Sequence, residues 1–258
     1  MTPPGSKFRV LLHTGHPSIR AACQFSPSWR RPALFEPMKP YYDQDGITIY
    51  HGDCREILPN LPKVDLVLTD PPYGLGSIMR GGGVKWPLWE GRGQDGLPWD
   101  QSAPDFIPEL VDGVREAIVW GGNYFALPPA RGWLIWDKIV REFSSGHCEM
   151  AWTNLDQPVR AYSYSHGALA TEGKVHPTQK PRKLMEWALG FTTGQTVLDP
   201  FMGSGTTLVA ARSLGRRAIG IEIEERYCEI AVQRLAQSVM DFSEPEPARD
   251  LQEALISA

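Results

Sequence analysis

Residues 197–207 read VLDPFMGSGTT, a short apolar strand that ends near an acid, runs into a glycine-rich turn and restarts as a helix. In a doubly wound sheet, such a junction is where a ligand meets the exposed N–H groups of a helix N-terminus. Thr206 or Thr207 is placed to cap that helix. A phosphate-cradling loop requires the lysine of GxxxxGK[ST], which is missing, and the dinucleotide fingerprint requires a third glycine where Leu208 stands. What remains is a ribose signal. The next strand, RAIGIEI, brings Glu222 to its end, 19 positions after Gly203, close to the spacing of the acid that holds ribose hydroxyls. A ligand with a ribose and no need of a phosphate clamp fits S-adenosylmethionine, although a purely structural tight turn fits these residues about as well.

The flanking chain has the same alternation. ITIYHGD, VDLVLTD, AIVWGG, WLIWDK, TVLD and RAIGIEI read as strands separated by helical patterns, which predicts an α/β fold with a mostly parallel sheet covered on both faces. In PDFIPELVDGV, Phe106, Leu110 and Val114 have helical spacing. In ERYCEIAVQRL, Tyr227, Ile230, Ala231, Arg234 and Leu235 form one stripe, and packing on the sheet accounts for all of it except the arginine. Two stretches lack periodicity, residues 74–100 and 141–175. The first is rich in glycine and interleaves Arg80, Lys85 and Arg92 with Trp86, Trp89 and Trp99, a mixture suited to phosphates and stackable bases. Arg141 opens the second.

One domain is expected over residues 38–240, with a solvated tail at 241–258. Residues 1–37 carry five basic side chains, one acid and repeated prolines. This composition suits a disordered arm; a mis-called start, with the true one at Met38, ranks above a functional arm, and a transit peptide ranks last. With 42% hydrophobic residues and a net charge of -4, the whole chain is no general polyanion binder, so any nucleic-acid site must be a local patch. The four cysteines, with no CxxC pair, speak against a zinc site and against disulfides, and for a reducing cytosol. No run approaches the ~20 apolar residues of a membrane span.

Residues 66–76, LVLTDPPYGLG, end a buried strand on an acid, two prolines and a ring. Methylation of an exocyclic base nitrogen explains this set. The amine lone pair is delocalised into the ring, and two acceptors on its N–H bonds would pull it towards a tetrahedral, nucleophilic form. Asp70 supplies one acceptor and the Pro71 carbonyl the other; Pro72 holds Pro71 extended, and neither proline adds a competing N–H. Tyr73 offers a face on which a base extruded from duplex DNA can stack. The plain alternative is a D-P-P turn closing a strand with the ring as its lid.

Taken together, GDC at 52–54, TDPPYG at 69–74, HPTQKP at 176–181 and LDPFMGSGTT with GIEIEERY resemble the DNA amino-methyltransferases, in the circularly permuted group whose DPPY precedes the cofactor turn. The resemblance covers roughly Tyr41–Gln237, to a few residues at each end. It implies a Rossmann-like S-adenosylmethionine-dependent methyltransferase fold with a seven-stranded, mostly parallel sheet and one antiparallel strand. It also implies that Asp53 contacts the cofactor adenine, and that Thr178 and Lys180 lie near its methionine end with Asp199 and Phe201. Gly203, Gly205, Thr206 and Glu222 complete that site, and the resemblance makes residues 141–175, where the family often carries target recognition, a compact recognition segment. His176 and Lys180 otherwise read as surface residues before a helix beginning at Pro181.

The expected partner is duplex DNA with a flipped target base; a homodimer is left open, as is a restriction endonuclease partner. Adenine N6 and cytosine N4 both satisfy the amine geometry, and only the family tendency of DPPY towards adenine separates them. A protein glutamine methyltransferase would carry asparagine where Asp70 stands. RNA substrates and a catalytically silent DNA-binding module are the remaining alternatives.

Overall fold

All six apolar runs form strands, and three further strands join them in one sheet. The computed structural model describes residues 38–75, 100, 102–139, 146–165 and 179–238. The chain runs β1 (Tyr42–Gln44), β2 (Ile47–His51), α1 (Cys54–Ile57), β3 (Leu66–Thr69), α2 (Ile107–Asp112), β4 (Glu116–Trp120), β5 (Gly132–Asp137) and β6 (Cys148–Thr153). It continues through β7 (Arg160–Ser163), α3 (Arg182–Leu189), β8 (Thr196–Asp199), α4 (Thr206–Ser213), β9 (Arg217–Glu222) and α5 (Glu225–Ser238).

The strand order is β1-β2-β9-β8-β3-β4-β6-β5-β7. From β2 to β4 every neighbouring pair is parallel. β6 is antiparallel to both β4 and β5. The seven strands from β2 to β5 in that order, with β6 reversed, are the expected arrangement. β1 and β7 extend its edges, so the sheet has nine strands rather than seven.

The extra strands have local causes. β1 pairs with β2 across Asp45–Gly46, both at positive φ (51° and 77°), the Asp-Gly hairpin turn whose twist matches the strands it joins. β6 and β7 lie within residues 141–175, read above as an aperiodic recognition segment, and make up half of its described residues. β6 is held by ladders on both sides, so it needs no clean apolar alternation of its own.

Every residue of β3 and β4 is buried, as expected of strands covered on both faces. Leu66 and Leu68 face one way, into a core with Leu184, Met185, Ala188 and Leu189 of α3, Leu208 and Val209 of α4, and Ala231 and Leu235 of α5. Val67 faces the other way, towards Leu110 and Val114. Phe106 and Val114 flank α2, and only Leu110 of the expected stripe lies within it. Pro181 precedes α3 as its N-cap residue, with its carbonyl accepting from Met185 N at 3.2 Å. Among the described residues, no helix is long and apolar enough to cross a membrane.

This topology fixes where chemistry can gather. The connections leave β8 and β3, adjacent at the centre, in opposite directions, to β9 through α4 and to β4 past α2, and a crevice opens at their carboxyl ends. Asp53, Asp70, Asp199 and Glu222 all lie at or just beyond carboxyl ends of parallel strands. Because β6 runs backwards, its first residues reach the same edge of the sheet.

Candidate active site

A cavity of about 750 Å³ occupies this crevice, and Asp53, Asp70, Pro72, Lys180, Asp199 and Glu222 all line it. Phe201, Gly203 and Thr206 line it as well. Gly205 is structural. At φ 77° it is the N-cap of α4, and a Cβ there would stand 2.7 Å from the Cβ of Ala231 on α5. Gly203 is open instead: it lines the cavity, and a Cβ there would meet no atom within 4 Å.

Neither threonine caps α4 through its side chain, contrary to expectation. Their hydroxyls are used elsewhere. Thr207 Oγ1 donates to Asp199 Oδ2 at 2.6 Å, and Thr206 Oγ1 accepts from Arg234 Nη1 at 3.0 Å. The same guanidinium donates to the Ser204 carbonyl at 2.6 Å, which explains the arginine in the apolar stripe of α5: it holds the glycine turn from behind.

Asp199 is 3% exposed, and its oxygens accept from Thr207 Oγ1, from Thr69 Oγ1 at 2.7 Å and from Phe201 N at 3.1 Å. It therefore ties β8 to β3 and to the turn. Burial pushes its pKa up to about 6 against the pull of those three donors. Glu222 takes Gly203 N on Oε2 and Glu224 N on Oε1, each at 2.9 Å, while burial raises its pKa. A carboxylate oxygen has two lone pairs, so each retains an acceptor site. Asp53 is the N-cap of α1, accepting from Arg55 N at 2.9 Å and ion-paired with the Arg55 guanidinium at 2.8 Å. The Phe106 and Phe201 rings stack at 6.0 Å, and both line the cavity. An open glycine, a braced carboxylate and a ring wall fit S-adenosylmethionine; Phe201, expected near its methionine end, instead packs with Phe106 against Cys54 and Ile57, next to Asp53.

The amine side is built from charges. Lys180, only 6% exposed, places its Nζ 2.5 Å from Asp70 Oδ2 and 2.9 Å from Glu149 Oε2. Lys138 Nζ lies 2.7 Å from Glu149 Oε1. On its other side, Asp70 Oδ1 accepts the Tyr73 hydroxyl. The Tyr73 ring stacks on Tyr124 at 4.9 Å and lies against Gly121, whose φ is 66° and where a Cβ would stand 2.1 Å from the ring. Burial raises the Asp70 pKa first, opposed by the Lys180 ammonium and aided by the Glu149 anion. Burial likewise works against the charge on Lys180, but Asp70 and Glu149 hold its pKa well above the ordinary value. For Glu149, the two ammonium groups outweigh burial and draw the pKa down to about 2.

The described residues thus bring Asp53, Asp70, Lys180, Asp199, Phe201, Gly203, Thr206 and Glu222 around one cavity, with Tyr73 in contact with Asp70. Lys180, expected near the methionine end of the cofactor, contacts Asp70 directly. Thr178, Arg80, Lys85, Arg92, Arg141 and His176, with residues 1–37 and the tail, lie outside the described residues. Glu149 and Lys138 were not anticipated. A glutamate two positions before the buried Ala151–Trp152–Thr153, and a lysine directly after the apolar strand WLIWD, were the available signs.

Residues 119–233 match the family described as DNA methylase, covering N6 and N4 methyltransferases. Among curated proteins, the chain is 28% identical to the Type II methyltransferase M.ScaI of Streptomyces caespitosus, over 76% of this chain and 84% of that protein. It is 27% identical to the Type II methyltransferase M2.DpnII of Streptococcus pneumoniae, over 76% and 92% respectively. Among solved structures, the M1.HpyAVI–SAM complex is 27% identical, with a TM-score of 0.49, covering 73% of this chain and all of that one.

Proposed function

We propose that this chain, which belongs to the DNA amino-methyltransferase family, methylates the N6 of adenine in DNA. The observation that carries the reading is the placement of Asp70: its carboxylate, with Pro72 beside it, lines the same cavity as Gly203 and Glu222. When bound there, S-adenosylmethionine supplies an electrophilic methyl group on a sulfonium sulfur. Glu222 accepts from its ribose hydroxyls, and Phe201 and Asp53 face its adenine.

The target amine gives one N–H to Asp70 Oδ1 and the other to the Pro71 carbonyl, and the nitrogen lone pair is released towards the methyl. For this the Tyr73 hydroxyl yields Oδ1, while Lys180 stays on Oδ2. The freed Tyr73 ring then stands beside the base, with Tyr124 backing it. Asp70 stabilises the growing positive charge on the nitrogen, an electrostatic role in a largely buried site. Contacts to DNA are assigned to Arg80, Lys85, Arg92 and Arg141. The choice of adenine rests on the aspartate that opens DPPY, since both amines satisfy the geometry.

The test is mass analysis of nucleosides from duplex DNA treated with the protein and S-adenosylmethionine. N6-methyladenine is expected. N4-methylcytosine would overturn the choice of base, and unmodified DNA from a protein that binds the cofactor would overturn the reaction.

A further inference from the structure

We propose that Glu149 is a positioning residue of the amine site: by sharing the Lys180 ammonium with Asp70, it leaves the Asp70 carboxylate able to accept from the target amine. The inference rests on the reading of Asp70 given above and adds a residue that the motifs do not include. Four charged groups form a line, Asp70, Lys180, Glu149 and Lys138, with successive contacts of 2.5, 2.9 and 2.7 Å and no net charge. Lys180 and Lys138 are 6% and 2% exposed, while the Asp70 and Glu149 side chains, at 19% and 26%, keep part of their surface in water. The rings of Trp120 and Tyr73 flank the Lys180 ammonium at 5.9 and 6.0 Å.

Four stretches of chain bring these groups together, after β3, after β5, in β6 and before α3. Glu149, the second residue of β6, lies opposite Trp136 of β5, and reversal of β6 sets it just past the end of β4, on the side of Asp70. Lys138 follows β5 and fastens the far oxygen of Glu149. Without Glu149, the Lys180 ammonium would have Asp70 as its single buried counter-ion, and a contact pair of that kind weakens the carboxylate as an acceptor. With Glu149 present, the ammonium is hydrogen-bonded to Asp70 and ion-paired with a second anion 2.9 Å away.

The groups facing Asp70 are Lys180 from the segment before α3, Glu149 from β6, Tyr73 from the turn after β3 and Asp199 from β8. Among them, the Glu149 anion raises the Asp70 pKa and the Lys180 ammonium lowers it. Removal of either therefore moves Asp70 in opposite directions, which a role in packing alone would not do.

The experiment uses the full chain and the variants Glu149→Gln, Glu149→Asp and Lys180→Gln. The Asp70 side-chain carboxyl carbon is titrated by NMR without cofactor, and single-turnover methylation of duplex DNA is followed against pH. In Glu149→Gln the Asp70 midpoint and the acid limb of the rate should move to lower pH. The plateau rate should fall about 10- to 100-fold, the scale of partners that orient a functional group, with cofactor affinity kept. Glu149→Asp should move both back towards the wild type, and Lys180→Gln should shift the Asp70 midpoint upwards. An unmoved midpoint in folded Glu149→Gln would overturn the proposal, as would a lost charge effect that Glu149→Asp fails to restore. A wild-type chain that transfers no methyl group would instead sink the reaction, whatever the titration shows.

Discussion

Glu222 and Asp70 stand on either side of β8 and face one cavity, yet they are held in different ways. Glu222 takes backbone N–H groups from Gly203 and Glu224, donors that carry no charge and cannot leave without unfolding the turn. Asp70 takes a lysine and a tyrosine, donors that carry or polarise charge and can move. The first arrangement suits an acceptor for a neutral hydroxyl, which has only to be in place. The second suits an acceptor whose ligand must displace a stand-in and whose basicity matters. Asp199 joins the two halves, through Thr69 at the end of β3 and Thr207 in α4.

The hardest test of this contrast is Asp70→Ala, expected to abolish methyl transfer while leaving cofactor affinity nearly intact, because Glu222 and the glycine turn do not depend on it. Asp70→Asn retains an acceptor without the charge and should lose about 10²- to 10³-fold in rate. Single-turnover methylation with calorimetry of cofactor binding checks both. Near-wild-type transfer by folded Asp70→Ala would return the D-P-P turn to a structural role.

Asp199 sharpens the comparison through pH. Its folded pKa of about 6 lies above the ordinary 3.8, so its stabilising contribution is full below pH 3.8 and is lost as pH rises through 6. Relative to Asp199→Asn, the wild-type chain should lose up to about 3 kcal/mol over that window. Glu149 acts in the opposite sense, with stability lost as pH falls towards 2, and is common to both chains. Urea unfolding of the cofactor-free proteins at a series of pH values measures the difference. Parallel stability curves would mean that Asp199 is ionised without cost.

The smallest effect is expected at Glu222→Ala, a weakening of S-adenosylmethionine binding by about 1 to 3 kcal/mol, the cost of leaving ribose hydroxyls without a charged acceptor. Calorimetry reads the affinity, and the transfer rate at saturating cofactor should change little. Unchanged affinity would mean that the cradle has been assigned to the wrong part of the ligand.

The cradle was legible in the sequence because its parts are close along the chain. Gly203, Gly205 and Glu222 belong to one strand–turn–helix–strand unit, and the spacing of such a unit is set by local geometry. The six long apolar runs were legible for the same reason, and so was the carboxylate at the end of VDLVLTD. The Asp45–Gly46 hairpin was equally local but went unread beside a stronger strand. β6 and β7 left no such trace, since their pairing comes from strands far away and not from their own alternation.

The sequence by itself determined the parallel α/β fold, the glycine-rich turn with Glu222 at the end of the next strand, and the acid–proline–proline–tyrosine end of β3. Each of these is a matter of neighbours within one or two elements. Only the tertiary structure decided what Asp70 touches. Lys180 is 110 positions away, and Glu149 and Lys138 come from strands whose order in the sheet does not follow their order in the chain. Charges act through space, and the distances that make Glu149 a partner of Lys180 exist only once β6 has run backwards between β4 and β5.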